Sequence, residues 1–166
     1  MLYNFVYTNN RAETLSQITK IDTLTNLKNR EGLYEDVLAK TDNNIPFAII
    51  FIDLDDFKSI NDNYGHQMGD TYLIEFAKAV TNLLTKNDIF YRLHGDEFVI
   101  LTEISELEIL SSRIKELNFT IVPNNVAFIG LSLGSATFPA DGDKLKDLMY
   151  LADLRMYQVK KEKRRN

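Results

Sequence analysis

Apolar residues along this chain follow two rhythms. Phe47 to Ile52 is an unbroken apolar run, so Pro46 to Asp53 predicts a buried strand. Tyr72, Leu73, Phe76, Ala77, Val80, Leu83 and Leu84 recur at three- and four-residue steps, which predicts a helix from about Gly69 to Lys86. Upstream, Asn29 to Lys40 predicts a helix burying Leu33, Val37 and Leu38. Asp22-Thr-Leu-Thr25 supplies oxygens able to cap a helix start. Asp56 to Tyr64 predicts a short helix followed by Gly65. Asp88 to Leu93 and Glu97 to Thr102 predict a hairpin around His94-Gly-Asp96, where glycine permits backbone angles that other residues resist. Ser105 to Leu117 predicts a helix with Ser105 as its cap. Phe119 to Val122 and Val126 to Phe138 predict two further strands, and Pro139-Ala-Asp-Gly142 a turn. Asp143 to about Lys161 predicts a closing helix with Leu145, Leu148, Met149, Ala152 and Met156 inward. Strands and helices alternate around one central sheet, so the class is α/β or α+β.

Residues 1–20 read differently. Leu15, Ile18 and Ile21 have loose helical spacing, while Tyr3, Phe5 and Tyr7 alternate. The segment is either the end of an upstream signalling helix or a terminal arm, with too few repeats for a coiled coil. The domain proper is expected over residues 21–166.

Composition narrows the function classes. A length of 166 residues fits one core, and 45% apolar with 26% charged residues is a soluble globular balance. The 24 acidic against 19 basic residues argue against a surface that coats nucleic acid. A local basic pocket for phosphates is still compatible with that balance. The absence of cysteine removes disulfides, thiolate chemistry and cysteine–zinc sites, and it suits a reducing cytoplasm. No apolar run approaches the roughly 20 residues that span a bilayer. The N-terminus lacks a basic segment leading into an apolar one, so no signal peptide is expected.

Four stretches carry candidate chemistry. Phe51-Ile-Asp-Leu-Asp-Asp-Phe-Lys58 ends an apolar strand in Asp53, Asp55 and Asp56. Asp53 and Asp55 share a face of an extended backbone. They are either ligands for a hard divalent cation such as magnesium or a polar loop. His94-Gly-Asp-Glu97 sets two adjacent carboxylates beside a glycine. Strand alternation sends one toward the first site and the other elsewhere; alone, it reads as an ordinary turn. Asn61-Asp-Asn-Tyr-Gly-His-Gln-Met-Gly-Asp70 offers Asn, His and Asp. A carboxylate accepts from the N–H and amino groups of guanine, and an amide both donates and accepts. The plainer reading is a solvated turn with Asp70 as a helix N-cap. Lys160-Lys-Glu-Lys-Arg-Arg165 puts five cations in six residues, for phosphates or for the negative end of the helix dipole.

Together these stretches resemble, in order and spacing, the GGDEF domain of diguanylate cyclases. The likeness runs from Asp22 to Asn166. Asp22-x-Leu-Thr-x-Leu-x-Asn-Arg30 resembles the opening motif, and Asp53-x-Asp-x-Phe-Lys58 the metal-bearing strand end. Asn61-Asp62, Gly65-His66 and Gly69-Asp70 resemble the guanine-binding stretch. Ser132-Leu-Gly134, Ala152-Asp153, Met156-Tyr157, Lys160 and Arg164 resemble the closing region. The resemblance implies an α+β fold, a mostly antiparallel sheet flanked by helices and related to polymerase palms and class III nucleotide cyclases. It implies condensation of two GTP, held on two facing domains of a homodimer, to cyclic di-GMP and two pyrophosphates. It further implies bacterial second-messenger signalling in the cytoplasm, with a sensory or effector domain outside this chain.

Residue by residue, the resemblance assigns Asp53, Asp96 and the Leu54 carbonyl to Mg2+ or Mn2+. Asp96 and Glu97 become the catalytic acids. Asn61 and Asp70 read guanine with His66 beside them. Lys58, Lys160 and Arg164 bind phosphates, as do the Phe57 backbone N–H and the turn at Gly95. Two departures stand out. His94 replaces the first signature glycine, and its imidazole either points to solvent, crowds the substrate, or gains a role as metal ligand or base. That supports an alternative: an impaired domain that binds GTP and regulates an attached domain, such as a cyclic di-GMP phosphodiesterase. The stretch Thr85-Lys-Asn-Asp88 lacks the arginine of the Arg-x-x-Asp product site found in many members. Lys86 has no planar fork to grip guanine and phosphate, so product inhibition there is not expected.

Overall fold

The computed structural model describes residues 20–122 and 124–165. The expectation for residues 1–20 therefore falls almost wholly outside the described residues. The elements are α1 (Arg30–Asp42), β1 (Phe47–Leu54), α2 (Phe57–Tyr64), α3 (His66–Thr81), β2 (Ile89–His94) and β3 (Glu97–Thr102). After a 3-10 turn at Ile104–Glu106 come α4 (Leu107–Lys115), β4 (Thr120–Ile121), β5 (Val126–Ala127), β6 (Leu131–Phe138) and α5 (Leu145–Lys163).

The main sheet runs β2-β3-β1-β6, and every neighbouring pair is antiparallel. β1 lies inside it, which is why its sequence is apolar on both faces. Ile50, Ile52 and Leu54 pack toward Ile60 of α2, Tyr72, Phe76 and Val80 of α3, and Leu110 and Ile114 of α4. Phe47, Ile49 and Phe51 pack the other way, with Leu33 and Val37 of α1 and Leu148, Ala152 and Met156 of α5. Alternate residues of one strand thus feed two cores, giving the expected α+β class. No helix among the described residues is long and apolar enough to cross a membrane.

α5 lies directly on β6. A Cβ at Gly134 would come within 2.2 Å of both the Ala152 carbonyl oxygen and the Met156 nitrogen. Glycine is therefore what lets the helix settle there, and the closeness carries the basic end of α5 across the end of the sheet.

Several boundaries differ from expectation. Asp22 does not start a helix: its Oδ1 accepts from Thr25 N at 2.8 Å and Thr25 Oγ at 2.6 Å, closing a turn. Asn29 is the cap of α1, accepting from the Glu31 and Gly32 amides. Leu38 is exposed on the outer side of α1. α3 begins at His66, so Asp70 lies inside the helix and is no N-cap. It ends at Thr81, because Asp88 draws the following segment into a turn. Asp88 Oδ2 accepts from Thr85 N and Oγ at 2.7 and 2.8 Å, and Oδ1 accepts from Thr102 Oγ at 2.6 Å. Ser105 sits in the 3-10 turn without capping. The last predicted strand is two: β5 pairs only with β4, and Gly130, at φ +115°, turns the chain before β6.

Candidate functional site

The C-terminal end of β1 collects the acids. Asp53 is paired in register with Glu97 of β3 on one side and with Ser132 of β6 on the other. Asp96 lies in the two-residue connection between β2 and β3, where Gly95 has φ +52°. Its carbonyl accepts the Leu54 amide at 3.3 Å. Strand alternation predicted that only one of Asp96 and Glu97 would meet Asp53. Asp96 belongs to the turn, so alternation does not govern it. Both acids feel the Asp53 charge. Burial, then Asp53, raises the Asp96 carboxyl above its ordinary value. Burial raises Glu97 too, against the His94 charge and with help from Asp53.

His94 is exposed, yet its Nε2 lies 3.1 Å from Glu97 Oε2. None of the outcomes expected for the imidazole, solvent, substrate crowding or a role as metal ligand or base, included this bond to a neighbouring acid. A bulge between Arg92 and His94 brings His94 opposite Glu97. Arg92 fixes the hairpin from behind. Its Nε donates to the Gly95 carbonyl at 3.0 Å, and its Nη1 donates to Asp22 Oδ1 and Oδ2 at 3.1 and 3.2 Å.

The turn from β1 into α2 is strained: Asp56 stands at φ +50°, a left-handed conformation unusual for a non-glycine residue. Its side chain does not cap α2. The amides at the start of α2, Phe57's among them, therefore lack a side-chain acceptor, the condition under which a helix start binds anions. Asn61 on α2 lies over Gly69 of α3: a Cβ there would be 1.9 Å from Asn61 Oδ1. The exposed Asp70 follows Gly69 on α3, and His66 is exposed at the start of that helix.

The predicted cations are dispersed. Lys160 Nζ donates to Asp53 Oδ1. Lys58 is 88% exposed, and its Nζ is 3.9 Å from Asp62. Arg164 is exposed just beyond α5 and has no ion pair among the described residues. Sequence reasoning counted Lys163 only among the tail cations and Ser132 only in the closing motif, and linked neither to Asp55. Lys163 Nζ donates to Asp55 Oδ2 at 2.8 Å, and the buried Ser132 donates to Asp55 Oδ1 at 2.7 Å. The signal was faint: Ser132 lies between two leucines, and a serine buried there needs a partner, but Ser135 and Thr137 share the strand. Asp55 therefore anchors structure, although its spacing from Asp53 suggested a shared ligand role. Asp88, taken up by Thr85 and Thr102, is likewise engaged within its own turn.

Asp53 and Asp96 bring two carboxylates to the end of β1, with the Leu54 backbone beside them. No group of three or more ligating side chains gathers there among the described residues. Two carboxylates with a backbone oxygen nonetheless suit magnesium, which keeps positions for water and phosphate. Beside Glu97, on the α1 and α5 face, opens a cleft of about 480 Å³ bordered by Arg30, Tyr34, Phe51, Tyr150 and Asp153. Asn61 and Asp70 lie off it.

Comparison with known proteins places this geometry. The profile of the family described as "Diguanylate cyclase, GGDEF domain" matches residues 19–166. The chain is 37% identical to the bifunctional diguanylate cyclase/cyclic di-GMP phosphodiesterase MucR of Pseudomonas aeruginosa, over 90% of this chain and 23% of that protein. It is 32% identical to diguanylate cyclase DgcP of Escherichia coli, over 87% of this chain and 45% of that protein. It therefore spans less than half the length of either relative. The crystal structure of a sensory box/GGDEF family protein from Caulobacter crescentus superposes with a TM-score of 0.76 at 31% identity. That match covers 86% of this chain and 99% of the other.

Proposed function

Because the chain belongs to the GGDEF family of diguanylate cyclase domains, we propose that it condenses two GTP into cyclic di-GMP, each GTP held on one of two facing copies. The observation that carries the reading is the convergence of Asp53, Asp96 and Glu97 on one end of the sheet, with Asn61 of α2 packed over Gly69, the residue before Asp70.

In this reading Asp70 accepts from the guanine N–H and amino groups, which favours guanine over adenine, and Asn61 completes the contact, with His66 alongside. The amides at Phe57, the open turn at Gly95, and Lys58, Lys160 and Arg164 hold the triphosphate. Asp53, Asp96 and the Leu54 carbonyl would hold Mg2+ or Mn2+, which would supply charge neutralisation for the phosphates. Glu97, raised by burial, is placed to assist loss of the 3′-hydroxyl proton. The 3′-oxygen of one GTP forms a bond to the α-phosphorus of the other, the α–β phosphoanhydride bond breaks, and pyrophosphate leaves. The same step repeated closes the ring. Positioning and charge are the protein's share; no protein nucleophile is required.

A second reading has one observation in its favour. His94 engages Glu97, so the domain would bind GTP without turning it over and regulate an attached domain. In either case we place the domain in the cytoplasm at residues 21–166. The preceding arm would link it to a sensory or effector domain.

Incubation of concentrated domain with GTP and Mg2+ tests this. Cyclic di-GMP should form with two pyrophosphates per product, and the rate should rise faster than linearly with protein. GTP bound but unchanged at every concentration would sink the cyclase and leave the regulatory reading.

A further inference from the structure

Two lysines one turn apart on α5 reach the two acids at the end of β1, and they do so differently. Lys163 Nζ donates to Asp55 Oδ2 at 2.8 Å and also to the Leu131 carbonyl. Ser132 takes the other Asp55 oxygen at 2.7 Å, and the Asp55 amide donates to the Gly130 carbonyl at 3.0 Å. Every one of these partners belongs to β6, its lead-in or α5, so this lysine pins the helix to the sheet. Lys160 Nζ donates instead to Asp53 Oδ1, with side-chain exposures of 19% and 15% for the pair. Asp53 faces Glu97 across the strand pair, and Asp96 lies beside them. One ammonium thus bonds Asp53, reaches Asp96 by its charge, and leaves Glu97 beyond Asp53 as a third half-buried carboxylate.

Half-buried carboxylates without a counter-charge are costly. Lys160 relieves that cost, but in the position that a cation on Asp53 would take. Two cations cannot share one carboxylate oxygen without strong repulsion. The lysine stem is long and flexible, so its head can move while α5 stays fixed by Lys163. Resting on the nucleotide reading above, we propose that Lys160 is an exchangeable counter-ion. It holds Asp53 until a metal–nucleotide complex claims that carboxylate, then transfers its ammonium to the phosphates. Metal and nucleotide consequently bind together, and the domain has little affinity for the metal alone.

Mn2+ binding to the nucleotide-free domain, followed by electron paramagnetic resonance, tests the exchange. Lys160→Met should tighten Mn2+ binding by about ten-fold, the scale on which one adjacent charge shifts a carboxylate equilibrium. Lys161→Met removes the same charge from an exposed position of the same helix and should leave Mn2+ affinity near wild type. Equal affinity in wild type and Lys160→Met overturns the exchange. That result leaves the cyclase reading intact, because the cyclase reading is judged by product formed. Conversely, tight Mn2+ binding by Lys160→Met from a wild-type domain that makes no cyclic di-GMP keeps the exchange and sinks the cyclase. Should Lys160→Met fold poorly, the wild-type Lys160 Nζ resonance in 15N-lysine protein decides. It should shift when Mg2+ and a non-hydrolysable GTP analogue are added together, and stay in place with Mg2+ alone. A shift with Mg2+ alone, or none with both, overturns the proposal.

Discussion

Two sets of carboxylates in this domain live under opposite conditions. Asp22 and Asp141 each face an arginine. Burial pushes Asp22 up, but the Thr25 hydroxyl and amide and then Arg92 outweigh it and leave it below the usual range. Asp141, gripped by Arg155 and by the Thr137 amide and hydroxyl, falls to about 2. Asp96 and Glu97 are instead raised, by burial and by nearby acids. The first set stabilises the fold through its charge. The second keeps charges that the fold alone would do better without, a state that persists where a cation is to be received.

Breaking the second set, or Asp53 that faces it across the strand pair, should abolish function and spare the fold. Asp53→Ala should lower cyclic di-GMP formation by about 1,000-fold or more, with thermal unfolding little changed. A variant that keeps a tenth of the activity would remove Asp53 from the site. Breaking the first set should do the reverse. Arg92→Met strands Asp22, and with side chains only 11% and 22% exposed the loss should be about 2 kcal/mol in denaturant unfolding. A change below ~0.5 kcal/mol would reduce this pair to a surface contact. His94→Gly should release Glu97 and raise turnover by about five-fold, measured as kcat. A fall would make His94 part of the machinery.

The smallest effect is a pH signature. The folded Asp96 carboxyl sits above its unfolded value, so its ionisation costs stability as pH rises through that raised value. Asp96→Asn removes the cost. In chelator at neutral pH it should melt about 2 °C higher than wild type, and the gain should vanish below the ordinary carboxylate range. A gain that persists in acid would trace to packing.

What was legible in the sequence follows from what sequence encodes. Apolar periodicity located β1, the hairpin, α1 and α5, because burial imposes those rhythms. It misplaced the start of α3, since Gly65 and His66 carry no apolar signal, and it missed the break at Gly130, which is a backbone angle. The spacing of Asp53 and Asp55 suggested one shared role. Their separation into an acid facing Lys160 and an anchor depends on Lys160 for Asp53 and on Ser132 and Lys163, 77 and 108 residues away from Asp55, partners that no local pattern records. His94 was visible as a departure, but its bond to Glu97 needs the bulge in β2, which pairing register alone reveals.

The most direct measurement sets wild type beside Asp96→Asn, both concentrated, with GTP and Mg2+, and quantifies cyclic di-GMP while unfolding is followed in parallel. Wild type should form product, and Asp96→Asn should form none while staying folded and, in chelator, melting slightly higher than wild type. Turnover by Asp96→Asn at the wild-type rate, or no product from wild type at any concentration, would contradict this expectation.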